Sequence, residues 1–291
     1  MSYVSAKTTI PVLKVHAYPF SETGLNGLPY IIMDYVEDRS LKELGFEPGE
    51  TWGPLTFGGY QTPAVKQLHQ QLADVYIQLR QLEFPRIGAL GLPSRDASAL
   101  SCDPEETNVC NRPLSIGIAL QELDGLQPGG IFPPKVTLPT ANDFVGGLLR
   151  LADNKLEKEP GLGMDEDEPA SILYAAHHFK RFVQDEWLNP LANDGPFVLM
   201  HGDMELTIGN LLFDDNYKVV GVVDWEWSRV VPAQLMVFPV CLNAAPLDFV
   251  LLIQDYYNEQ VGRLRAAVQE REKVLGLSPR LSTEWAPLET W

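Results

Sequence analysis

The sequence predicts an α/β (α+β) fold in which helices carry most of the mass, and three observations predict it. Branched apolar residues alternate near the amino end, and a helical apolar period runs through residues 62–82. An uninterrupted apolar run at 197–200 then enters a turn at Gly202 and is followed by two further strand-like runs. A chain of 291 residues with 45% apolar content can bury one large core or two unequal ones.

Taken in order, residues 10–18 and 28–36 read as two strands separated by a Gly/Asn-containing turn. Residues 37–44 read as a connector into a short helix with Ser40 as its cap. The helix over 62–82 has Thr62 as cap and Pro63 in its first turn, with Leu68, Leu72, Val75, Leu79 and Leu82 in one stripe. Such a stripe packs into a core rather than facing a cofactor. Residues 84–140 are rich in Pro and Gly and read as an irregular insertion, not a domain. Helices are expected over 142–156 and over 170–187, the latter using Leu173, Ala176, Val183 and Trp187, with the acidic run 165–168 as a solvated loop before it. Residues 197–200 form a buried strand, and 210–213 with 219–223 form a hairpin turning at Asp214-Asp215-Asn216. A last helix covers 247–275 and breaks near Gly262. No long linker divides the chain.

The formal charge of -17 offers no basic footprint for nucleic acid and repels an anionic membrane surface. It reads as a solubility charge more readily than as an acidic cleft for cations. No window holds the roughly 18 apolar residues of a membrane span, and the amino end has no hydrophobic signal core, so a soluble, cytoplasmic protein is expected. Cys102, Cys110 and Cys241 are too few for a disulfide framework, and reduced thiols are expected in preference to a Cys102–Cys110 bridge.

Chemistry concentrates in residues 198–226, where several acids and an Asn lie between apolar runs. Phosphoryl transfer from a nucleotide needs an acid to orient a hydroxyl and oxygen ligands to hold Mg²⁺ on the phosphates. Asp203, Asn210 and Asp224 stand at strand ends, where a rigid scaffold converges side chains on a ligand. Other signals are weaker. His177-His178 lack a third ligand at metal spacing and read as a polar pair. The His201-x-Asp203 pair suits Mg²⁺ chemistry better than a transition metal. Gly-x-Ser-x-Gly, P-loop and dinucleotide fingerprints are missing from the sequence. Trp225 and Trp227 flank Glu226 and read as strand packing before a cation cage.

His201-Gly202-Asp203, then Asn210, then Asp224-Trp225-Glu226 resembles the catalytic segment of the aminoglycoside phosphotransferase and choline kinase family. The segments 10–12, 30–35, 82–88 and 224–228 are similar to its fungal branch, and the likeness covers most of 8–291. The resemblance implies a protein-kinase-like bilobal fold with a truncated N-lobe and a mainly helical C-lobe. Residues 1–38 would be remnant N-lobe strands and hinge, and 39–291 the C-lobe. It also implies ATP or GTP as co-substrate, Mg²⁺, and a small-molecule hydroxyl as acceptor. Asp203 would be the catalytic acid and His201 would shape its loop, while Asn210 and Asp224 would hold the metal. Met33, Asp34, Tyr35 and Val36 would lie against the nucleotide base, with Glu226 behind the metal.

Two departures accompany the likeness. Six residues separate Asp203 from Asn210, a longer spacing than the family's usual one, although Gly209 gives the backbone freedom to bulge. Only 33 residues precede Asp34, without the family's Gly-rich loop or lysine strand; Lys7 and Lys14 fall elsewhere. The chain is therefore expected to be cut short at both ends. A phosphotransferase, a kinase-derived binding protein without catalysis, and a fragment of an active enzyme all stay open.

Overall fold

The computed structural model describes residues 1–18, 30–37, 39, 43–44, 47–49, 53–56, 63–91, 105–158, 168–203, 210–236 and 254–286. It is an α+β structure of small antiparallel sheets and longer helices. The first helix, α1 (Ser2–Lys7), is not foreseen in the sequence. Tertiary packing holds it: Val4 is buried in the core and Tyr3 stacks on Phe84, ring centroids 5.6 Å apart. Of the expected strand at 10–18, only β1 (Val15–Ala17) forms, paired with β2 (Ile32–Met33). Ile10 and Leu13 are spent instead on the core, and Val12 bridges Val222.

Glu47–Gly49 (β3) and Gly53–Thr56 (β4) pair as a hairpin where a short helix is expected, and Ser40 lies outside the described residues. Pro63–Gln81 (α2) matches the long helix, with Leu68, Leu72, Val75 and Leu79 all buried; Thr62 lies outside the described residues. The region read as irregular carries more order than its Pro and Gly suggest. Ala89–Gly91 (β6) pairs with Asn108–Asn111 (β7), and Ser115 caps α3 (Ile116–Leu123) by accepting the Ile118 N–H. Gly88 exchanges backbone bonds with Val230, which ties this region to the central sheet. Cys102 and Cys241 lie outside the described residues.

Ala141–Lys158 (α4) and Glu168–Phe182 (α5) appear close to their expected bounds, and a π turn, Val183–Trp187, continues α5. Leu173 is 62% exposed, so it does not share the inward stripe with buried Val183. Residues 165–167 of the acidic run lie outside the described residues. Gln254–Val274 (α6) is continuous through Gly262, against the expected break; 247–253 lie outside the described residues. Val261, Leu264 and Val268 are buried, and α6 packs along α2, so burial outweighs the ~1 kcal/mol that an interior glycine costs. A short α7 (Leu281–Glu284) closes the described chain.

The central sheet has strand order β11–β8–β5, where β5 is Glu83–Phe84, β8 is Phe197–Met200 and β11 is Arg229–Pro232. All four residues of β8 are buried because both its edges are paired and α2 lies over it. Leu211–Phe213 (β9) and Val219–Val222 (β10) form the expected hairpin. Its turn is closed by the Asp214 carboxylate, which accepts the N–H groups of Asn216 (2.8 Å) and Lys218 (3.0 Å).

Between α2 and α6, burial pushes the His69 imidazole down to about 4, with the Arg263 charge acting in the same sense. Lys66 and Glu270 line the same cleft. Above the usual value of 6.5 both folded and unfolded chains hold neutral His69, and nothing changes. As pH falls from 6.5 toward 4 only the unfolded chain takes the proton, which removes up to about 3 kcal/mol of stability. Urea midpoints at about pH 7 and about pH 5 should therefore fall further for the wild type than for His69→Gln. Equal losses would assign the acid sensitivity elsewhere.

Candidate functional site

The site grows out of the end of β8. After Met200 the chain turns at Gly202, whose φ is +89°, and a Cβ there would lie 2.1 Å from the Trp227 carbonyl oxygen. Only glycine fits both constraints. Gly202→Ala should cost more than about 1 kcal/mol, read as a lowered melting temperature; an unchanged value would mean that the turn has room to move.

His201 is buried. Its Nε2 lies 2.7 Å from the Val223 carbonyl oxygen, and its ring packs edge-on against Trp225 at 4.5 Å. An N–H facing a carbonyl must donate, so Nε2 carries the proton. Nδ1 is buried and has no hydrogen-bond partner among the described residues. Burial pushes the His201 pKa down, against the pull of the Val223 carbonyl and of Asp203 and Asp224, so the ring is a neutral tether between the two halves of the site.

Asn210 is 4% exposed and stands at the entry to β9. Its Nδ2 donates to Asp203 Oδ2 at 2.9 Å and to the Asp203 carbonyl at 3.2 Å, while its own carbonyl accepts the Val223 N–H at 3.0 Å. Despite the six intervening residues, the side chains of Asp203 and Asn210 meet; residues 204–209 lie outside the described residues. Asp224 follows Val223 in the left-handed region (φ 62°, ψ 48°), a conformation that Asp and Asn tolerate better than most residues. Its carboxylate is exposed, and the 3-10 turn Trp225–Trp227 begins after it. Trp225 is core: buried, with Nε1 donating to the Val222 carbonyl at 2.8 Å. It packs as expected, though from a turn rather than a strand, and is not open to form a cage wall. Trp227 is half-buried and Glu226 exposed.

The hydrogen bonds of Asp34, among the hinge-like residues, run within the β1–β2 ribbon. The Asp34 N–H donates to the Lys14 carbonyl (3.0 Å), and its carboxylate takes the Lys14 N–H (3.2 Å) and His16 Nε2 (2.6 Å). The His16 hydrogen bond is the main reason its pKa is lowered. The Asp34 side chain is thus committed to the β1–β2 ribbon, whereas Tyr35 is 90% exposed and Met33 partly so. Met33, Asp34, Tyr35 and Val36 make no hydrogen bond to Asp203, Asn210 or Asp224 among the described residues. The segment is nevertheless anchored to the β9–β10 hairpin on both sides. Pro11 accepts from Val222 (2.7 Å) before it, and the Arg39 N–H donates to Phe213 (2.7 Å) after it. His177 and His178 lie exposed on α5 with their rings 5.5 Å apart. Among the described residues, no group of three or more His, Cys, Asp or Glu is gathered for a metal.

A sequence model of the phosphotransferase enzyme family, APH, matches residues 1–234. The chain belongs to this family. Its mixed helix and sheet architecture is consistent with the kinase-like α+β fold of the APH phosphotransferases, and the family match points to a phosphotransferase-type function. No curated protein matched the chain. No helix among the described residues is long and apolar enough to cross a membrane. Sequence reading of this APH chain placed a turn at Gly202 but not the close approach of the Trp227 carbonyl that makes glycine necessary there. It read Trp225 as packing but not that its partner is the His201 ring.

Proposed function

We propose that the protein transfers a phosphoryl group from ATP or GTP to the hydroxyl of a small molecule, using Mg²⁺. The carrying observation is the 2.9 Å contact between Asn210 and Asp203, on a backbone that also bonds Asn210 to Val223 beside Asp224. Three residues from successive loop and strand ends are thereby held on one small frame.

The donor set suits the ion. Asn210 spends its amide N–H groups on Asp203, which leaves Oδ1 as its acceptor, and Asp224 presents an exposed carboxylate. Mg²⁺ commonly takes one or two protein oxygens and completes its shell with phosphates and water, so a sparse site is the expected kind. Bound there, the ion would neutralise charge on the phosphate oxygens. Asp203 orients the acceptor hydroxyl and takes its proton as the oxygen–phosphorus bond forms and the bridging oxygen leaves with the nucleoside diphosphate. Residues 33–36 form the base-facing edge, with 1–38 a small lobe and 39–291 a larger one, and such a reaction belongs in the cytoplasm, where nucleotide and Mg²⁺ are abundant.

Nucleotide binding without turnover is the second reading. It draws on the Lys7 ammonium, which is paired with Glu105. Titration with Mg²⁺-ATP or Mg²⁺-GTP should raise the melting temperature of the wild type by mass action, and Asp224→Asn should remove the Mg²⁺-dependent part. Absence of any shift at saturating nucleotide would rule out both readings.

A further inference from the structure

The polar side of α2 is not used by the chemistry above, yet it grips the hairpin that carries Asn210 and Asp224. Gln71 Nε2 donates to the Tyr217 carbonyl at 2.7 Å, and its Oε1 accepts the Val219 N–H, also at 2.7 Å. One turn earlier, Gln67 donates to the Asn216 carbonyl at 3.1 Å. Two turns later, Gln78 Oε1 accepts the Thr9 N–H (2.6 Å) and hydroxyl (3.0 Å). Two residues on from Thr9, the Pro11 carbonyl receives Val222 N–H at 2.7 Å. Strand β10 is therefore pinned to one helix at both its ends: at Val219 directly, and at Val222 through residues 9–11. Asp224 stands two residues beyond the second pin.

We propose that Gln71 is a positioning residue for the Asp224 turn, an inference that rests on the phosphotransferase reading. The chemistry specifies glutamine. The Tyr217 carbonyl needs a donor and the Val219 amide an acceptor at one side-chain tip, and a carboxamide supplies both. Glutamate loses the donor and methionine loses both, while each keeps comparable reach. A strand advances about 3.3 Å per residue, so release of the first pin lets a shift of β10 carry through to Asp224. Polar partners that orient metal ligands are worth roughly 10- to 100-fold in metal affinity. The seam borders a cavity of about 540 Å³ lined in part by Gln71, Gln78 and Lys218, so a changed side chain at 71 has room without forcing α2 away.

The test uses the full chain with Gln71→Met and Gln71→Glu. Hydrogen exchange by mass spectrometry should speed up in peptides spanning 216–226, more for Met than for Glu, while peptides over 197–200 keep wild-type rates. In parallel, Mg²⁺-ATP affinity should drop on the order of tenfold for Gln71→Met, with Glu intermediate and Mg²⁺-free ATP affinity unchanged. Unaltered exchange over 216–226 overturns the proposal whatever the nucleotide does. Equal weakening of both ATP forms with faster exchange throughout the protein also overturns it, since that marks a purely structural glutamine. A wild type that fails to bind Mg²⁺-nucleotide sinks the phosphotransferase reading instead, and exchange still decides whether Gln71 holds the turn.

Discussion

Asp203→Asn is expected to slow phosphoryl transfer by about 10²- to 10⁴-fold while leaving Mg²⁺-nucleotide binding at the wild-type level. The substitution is nearly isosteric. Asn210 Nδ2 donates to one carboxylate oxygen and to the main-chain carbonyl of Asp203, and an amide oxygen at 203 can still accept the first of these bonds. What disappears is the ability to take a proton from the acceptor hydroxyl. Loss should therefore fall on turnover rather than on nucleotide affinity, and comparison of initial rates with thermal-shift titration of the same preparations separates the two. Nucleoside diphosphate release in the presence of a panel of hydroxyl compounds provides the rate. A variant that turns over like the wild type would remove Asp203 from the chemistry. One that loses nucleotide binding as well would place it among the metal groups.

The second large effect is on stability. Trp285→Ala should destabilise the fold by about 3–5 kcal/mol, lowering the melting temperature by on the order of 10 °C. Trp285 is 1% exposed, stacks edge-on against Tyr76 with centroids 5.4 Å apart, and donates Nε1–H to the Met236 carbonyl at 2.6 Å. The residues before it are held as firmly. Buried Arg80 forks onto the Glu284 carboxylate (2.7 and 2.6 Å) and reaches Glu83 (2.9 Å). The buried Glu272 carboxylate accepts the Leu281 N–H (2.8 Å) and the Ser282 hydroxyl (2.5 Å). Removal of the indole leaves a cavity at the meeting point of α2, α6 and the chain beyond β11. Trp285→Phe keeps the ring contact and drops the hydrogen bond, so its cost should be about 1–3 kcal/mol. Equal effects of the two variants would mean that the hydrogen bond, not the packing, dominates.

Elements whose signal is local were legible in the sequence. The stripe Leu68, Leu72, Val75 and Leu79 recurs on one face over about three turns, and the buried strand at 197–200 is apolar throughout because both its edges are paired. What escaped depends on partners distant in sequence. The helix at residues 2–7 is too short to announce itself and exists because Val4 reaches the core. Gly262 looks like a break until the burial of Val261 and Leu264 is known. Leu173 has a helical period yet points outward, since periodicity defines a face without saying what covers it. The candidate site shows the same division. Residue types and order marked Asp203, Asn210 and Asp224, but the spacing between the first two argued against their meeting, and only the fold shows that they touch. The glutamines on α2 carried no signal beyond a four-residue interval, which any exposed helix face can show.

The left-handed backbone at Asp224 has a consequence for descent. In the genetic code aspartate lies one base change from asparagine and one from glycine, the residues that accept this conformation most readily. A lineage can therefore shed the exposed carboxylate in a single mutational step and still keep the turn, the Trp225 wall and the hairpin behind it. Among relatives of this chain, Asn or Gly at the position of Asp224 on an otherwise intact frame would mark members that retain the shape of a transferase after giving up its metal.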